Sequence, residues 1–143
     1  MPKLSVWMIR TALLHLGIGF LFGTLLLANK GVPYEPQVWR LLNPHIELLI
    51  FGWMIQLAMG VAFWTLPRFS GEYRYGRTYL GWMSYVLLNG GLIVTAASYW
   101  LNANPAALTG RLFSLTAVVV FAVLIFPRVK PLGGYAASQD ENR

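Results

Sequence analysis

Three side chains stand where chemistry at membrane depth is possible: His15, His45 and Glu47. Each lies in or beside a long apolar run, where an imidazole or an ionisable group is costly and marks a functional position by default. The chain has no cysteine, which excludes disulfides, zinc–thiolate sites, iron–sulfur clusters and cysteine nucleophiles together. Chemistry must therefore come from His, Glu, Arg, Tyr or a bound cofactor.

The spacing around His45 adds a shape to this short list. At about 100° per residue, Gly52, Gln56 and Gly60 each fall within about 60° of His45 on a helix. The two glycines remove side chains from that face, so either a flat ligand or a second helix can approach its backbone closely. Glu47 is two residues from His45 and about 200° around the axis, so it points to the opposite side.

The elements that position these residues follow from composition. Of 143 residues, 57% are hydrophobic and 11% charged, against about 25% charged in soluble domains. Uncharged runs at 11–29, 48–67, 78–110 and 112–127 fit a hydrocarbon core that needs about 20 apolar residues per helix. Asn102 to Pro105 divides the third run, and proline in a first turn is well tolerated. The expectation is an all-α integral membrane four-helix bundle, with helices near 8–29, 44–67, 78–101 and 106–127 and a flexible tail over 128–143.

The net charge of +6 reads as topology. Lys3, Arg10, Arg68, Arg74, Arg77, Arg128, Lys130 and Arg143 fall on one side, and Lys30, Arg40 and Arg111 on the other. The bias places both termini in the cytoplasm, with the protein multi-pass in the cell membrane, and nucleic acid is not an expected partner. The first apolar run is too long for a signal peptide, and Ala28 to Gly31 makes a poor cleavage site, so it reads as a retained helix.

The stretch HIELLIFGWMIQLAMGVAFWTLPR at 45–68 resembles the second transmembrane helix of the central subunit of haem-copper oxidases and nitric oxide reductases. In that family a histidine near the outer end of this helix is an axial ligand of the low-spin haem, with a glycine fifteen residues on. His45 and Gly60 match those positions, and RTALLHLGIGFLFG at 10–23 has the look of the family's first helix. The resemblance covers residues 8–68. It implies haem b, and since the family's twelve helices form three arcs of four, it implies a homotrimer with one chain per arc. Only His15 and His45 are present, so the family's copper ligands and its oxygen reduction are not expected here.

Under this resemblance His45 is the expected iron ligand, in a pocket with Gly52 and Gln56. Arg40, then Arg111 or Lys30, would serve the propionates. His15 and His45 are expected some 15 Å apart along the membrane normal, too far to share one iron, which leaves His15 a minor candidate for a second site. Opposite His45 the resemblance suggests Glu47 of the next chain; a haem held by two copies of His45 across a two-fold axis is the competing geometry. Glu47 could instead pair with Arg111 or Arg40, or take part in proton uptake. The expected role is electron transfer or redox or gas sensing with an unknown redox partner. The alternatives are a cofactor-free scaffold or accessory subunit, and a small haem enzyme acting on oxygen or nitric oxide.

Overall fold

The structure, a computed structural model, describes residues 1–66, 77–101 and 104–129. Arg68, Arg74, Lys130, Arg143 and all of the expected tail beyond Val129 lie outside the described residues. The described part is all-helical, with four segments long and apolar enough to cross a membrane. α1 spans Lys3–Gly31, α2 Pro36–Thr65, α3 Thr78–Leu101 and α4 Asn104–Ile125. A 3-10 turn over Phe126–Arg128 follows α4.

α1 begins five residues before its expected start and α2 eight before, because the flanking residues continue the helical hydrogen bonding past the uncharged cores. The reversal between these helices is set locally. The buried side chain of Asn29 accepts the backbone N–H groups of both Tyr34 and Glu35 at 3.1 Å, turning the chain back. Glu35 then caps the next helix by accepting from Gln37 N at 3.2 Å, and Pro36, whose missing N–H costs nothing in a first turn, follows it. Residues 36–41 thus form a 3-10 lead-in continuous with α2.

Inside α2 the winding changes. Leu42–Glu47 is α-helical, Leu48–Ile55 is π-helical and Gln56–Thr65 is α-helical again. Pro44, Leu48, Gly52, Gln56 and Gly60 are all buried at a spacing of four. In an α-helix each such step turns the residue by about 40°, so five positions would leave the face. The wider i→i+5 turn takes up that rotation, and all five stay inward.

α3 and α4 form the tightest pair. Gly81, Ser84, Leu88, Gly91, Thr95 and Ser98 on α3, and Gly110, Ser114, Ala117, Phe121 and Leu124 on α4, are buried at alternating spacings of three and four, the seam of a left-handed pair of helices. A Cβ at Gly91 would stand 2.6 Å from the Gly110 oxygen and 3.0 Å from the Ser114 nitrogen, so the two backbones touch, as small residues allow between membrane helices. Ser84 Oγ crosses the seam to donate to the Ala117 oxygen at 2.7 Å.

The two pairs assemble into an up-down-up-down bundle. Leu4, Met8, Met59, Phe63, Leu88, Phe121 and Leu124 cluster toward the end that carries the start of α1 and the close of α4. Arg128, 1% exposed, locks that end by donating from one guanidinium nitrogen to the carbonyls of Phe63 and Leu66 at 3.0 and 2.8 Å, while its guanidinium lies 5.2 Å from the Phe63 ring centre. Large apolar side chains such as Leu14, Phe20, Val86, Ile93, Leu115 and Val123 face outward, the arrangement expected where the surroundings are hydrocarbon.

Candidate functional site

The two histidines are fixed by reciprocal contacts between α1 and α2. His45 Nδ1 lies 2.7 Å from the carbonyl oxygen of Gly19, and His15 Nδ1 lies 3.1 Å from that of Gly52. A carbonyl oxygen only accepts, so Nδ1 carries the hydrogen in both rings and the neutral imidazole keeps its lone pair on Nε2. Metal-binding histidines are usually held in this way, one ring N–H given to a carbonyl and the other nitrogen left for the metal. Among the described residues neither Nε2 has a hydrogen-bond partner.

Glycines create the room for both rings. A Cβ at Gly23 would sit 2.7 Å from His45 Cε1 and 3.5 Å from its Nε2. One at Gly52 would sit 2.8 Å from both Cγ and Nδ1 of His15. Gly52 lies within the π-helical segment, a winding often found at functional positions. Gly19, whose own Cβ would meet the Leu49 side chain at 2.7 Å, presents its oxygen to His45 because the helices are so close.

These contacts revise the face drawn from the sequence. His45, Gly52, Gln56 and Gly60 do lie toward one side, but α1 occupies it. Gln56 Nε2 donates to the Met8 oxygen at 3.3 Å, and a Cβ at Gly60 would meet Met8 and Ile9 at 3.0 and 3.1 Å. Gly52 and Gln56 are therefore packed against α1 within the chain itself. The levels of the histidines also change. His15 is beside Gly52, seven residues along α2 from His45, a separation of about 10 Å where the sequence suggested more.

What remains open beside His45 is a shallow groove of about 210 Å³ between the second half of α1 and the start of α2, lined by Gly23, Leu26, Leu27, Lys30, Trp39, Leu42 and His45. Of the aromatic residues that could border a ligand, Trp39 is in this groove. Phe51 packs on the apolar core, Trp53 buries its indole nitrogen with no partner among the described residues, and Trp64 faces outward. Arg40 is not among the lining residues, and Lys30, the last of the three cations in the sequence reading, is the one that reaches it.

Glu47 is engaged elsewhere. Arg111 donates from Nε to Glu47 Oε1 at 3.0 Å and from a terminal nitrogen to the Tyr99 hydroxyl at 2.7 Å, while that hydroxyl donates to Glu47 Oε1 at 3.5 Å. Arg111 and Glu47 also form an ion pair at 3.0 Å. The three residues come from α4, α2 and α3, so this cluster ties the helices together at the end opposite the Arg128 lock. The pairing with Arg111 weighed in the sequence is thus the one observed, and Arg111 is committed to Glu47. Tyr99, not singled out from the sequence, has only its register on α3 as a signal, seven residues beyond the buried Leu92.

Among the described residues no group of three or more His, Cys, Asp or Glu side chains could hold a bare metal ion. A metal at His45 would have to bring its other ligands with it. The fold and the site thus define a multi-pass helical protein suited to a membrane, with one poised imidazole in an apolar groove. No protein-family model, curated protein or solved structure matches the chain.

Proposed function

We propose that this chain is a membrane protein that binds haem b through His45 Nε2 and serves electron transfer or redox or gas sensing. The observation that carries the reading is the 2.7 Å contact of His45 Nδ1 with the Gly19 carbonyl, which directs the ring's lone pair to Nε2. The residues fit the group: apolar walls from Leu26, Leu27 and Leu42, a glycine whose Cβ would displace the imidazole, and a ligand nitrogen held by a carbonyl. A bound haem would supply one-electron or gas-binding chemistry at a potential set by the axial imidazole, its hydrogen bond and the low dielectric. The attachment is non-covalent, since the chain has no cysteine for thioether bonds.

The groove, at about 210 Å³, is smaller than the roughly 300–1,000 Å³ of ordinary small-molecule pockets. It takes one part of a macrocycle, and a second surface must cover the rest. We assign that surface to another copy of the chain, with the homotrimer implied by the resemblance over residues 8–68 as the favoured assembly. With Glu47 held by Arg111, any second protein ligand to a haem held by His45 would have to be another group. The cation bias places both termini in the cytoplasm.

The test is a visible spectrum of the full chain purified in mild detergent. A Soret band that disappears in His45→Ala and persists in His15→Ala is expected. No Soret band after haem supplementation, or one indifferent to His45→Ala, would remove the proposal. Carbon monoxide added to the reduced protein reads the opposite position, with an immediate shift meaning that it is open.

A further inference from the structure

The groove beside His45 contains a charge that the fold itself does not use. Lys30, in the last turn of α1, lines the groove together with Gly23, Leu26, Trp39 and His45, and its ammonium makes no ion pair or hydrogen bond among the described residues. The two acids among those residues are elsewhere: Glu47 is held by Arg111, and Glu35 caps the start of α2 and lines a separate cavity against Trp100. The groove thus offers one lone-pair nitrogen, apolar walls and one unneutralised cation.

Their order along α1 is informative. Gly23 touches the His45 ring, and Lys30 follows seven residues, about 10 Å, farther toward the α1–α2 loop. Seven residues make almost two full turns, so Lys30 stands on nearly the same face as Gly23. A ligand anchored at His45 and lying along α1 reaches Lys30 with its far edge. Trp39 lines this groove as well.

Resting on the haem reading above, we propose that Lys30 binds a carboxylate of the ligand, so that the haem lies with its propionate edge toward the α1–α2 loop. Lys30 is then a positioning residue that selects for an acidic macrocycle. Arg40 and Arg111, the residues the sequence favours for this task, play no part in it. A lipid phosphate has the same chemistry at an ammonium and is the competing source of negative charge.

The experiment titrates the full-length apoprotein in detergent with haem b and with its dimethyl ester, which keeps the iron and the ring but lacks the carboxylates. Wild type, Lys30→Met and Lys30→Arg are compared by Soret absorbance. Wild type is expected to prefer the free acid by about ten- to a hundredfold, the worth of a charge-assisted hydrogen bond. Lys30→Met brings the two affinities together and Lys30→Arg keeps the preference. Equal binding of acid and ester by wild type, with the Soret band intact, would overturn the role of Lys30 and leave the His45 reading standing. Affinity for both compounds that falls as anionic phospholipid is added, with no preference between them, would assign Lys30 to lipid phosphate and likewise overturn it. No Soret band with either compound would remove the haem reading itself.

Discussion

His45 on α2 donates its Nδ1–H to the Gly19 carbonyl on α1 at 2.7 Å, and the ring packs against the bare backbone of Gly23. One helix therefore orients the candidate ligand borne by the other. The ring's orientation depends on how closely α1 and α2 approach, and small changes in α1 should be felt at His45.

Gly23→Ala tests this dependence. Its Cβ would stand 2.7 Å from His45 Cε1, so the ring must tilt and its bond to Gly19 weaken. Haem affinity is expected to fall about 10- to 100-fold, the usual cost of losing a ligand's supporting contact, with His45 still present. Gly17→Ala, where a Cβ meets nothing within 4 Å, should bind as wild type does. Soret titration of both variants is the check.

Gly52→Ala separates the two histidines. The added carbon would press on Cγ and Nδ1 of His15 at 2.8 Å, destabilising the α1–α2 pair by about 1–3 kcal/mol. The folded fraction should keep its His45 spectrum. Thermal unfolding in detergent, followed by circular dichroism alongside the Soret band, distinguishes lost stability from a lost ligand.

The Glu47–Arg111 pair should show coupling. Arg111→Met leaves Glu47 with the Tyr99 hydroxyl at 3.5 Å as its remaining partner, and Glu47→Gln in the same chain relieves the uncompensated charge. The double variant is expected to recover about 1–3 kcal/mol relative to the sum of the single changes. A double-mutant cycle on unfolding midpoints measures this, and strictly additive losses would mean that the pair contributes nothing.

The α3–α4 seam predicts a sharp contrast between adjacent glycines. Gly91→Ala drives a Cβ against the Gly110 oxygen and the Ser114 backbone, atoms that cannot move aside without separating the helices, at a cost of about 1–3 kcal/mol. Gly90→Ala meets nothing within 4 Å and should be neutral to within about 0.5 kcal/mol. The comparison needs only the two melting curves.

Arg128→Met should loosen the close of α2. The guanidinium satisfies the Phe63 and Leu66 carbonyls, and hydrogen bonds from a charged donor are worth about 1.5–3 kcal/mol. Faster amide exchange confined to the last turn of α2, with little change near Gly19, is the expected signature.

Much of the architecture is legible in the sequence because a bilayer of fixed thickness makes span length a property of composition. The uncharged runs announce four helices, and the two histidines can be named as the ligand candidates because so few polar groups are present. The small-residue seam of α3, from Gly81 through Ser84, Leu88, Gly91 and Thr95 to Ser98, is also written there in its three-four spacing, although attention to charged and imidazole groups passes it by. Partner choice is not written in this way. Nothing local to Glu47 favours Arg111 over Arg40, and nothing local to His45 shows that its glycine-rich face meets α1. Both depend on the rotation of each helix about its axis, and a π-helical stretch over Leu48–Ile55 changes that rotation midway through α2. Composition thus determined how many helices there are and which residues could act, while interhelical packing decided which way those residues point, because direction is fixed by contacts between segments distant in the chain.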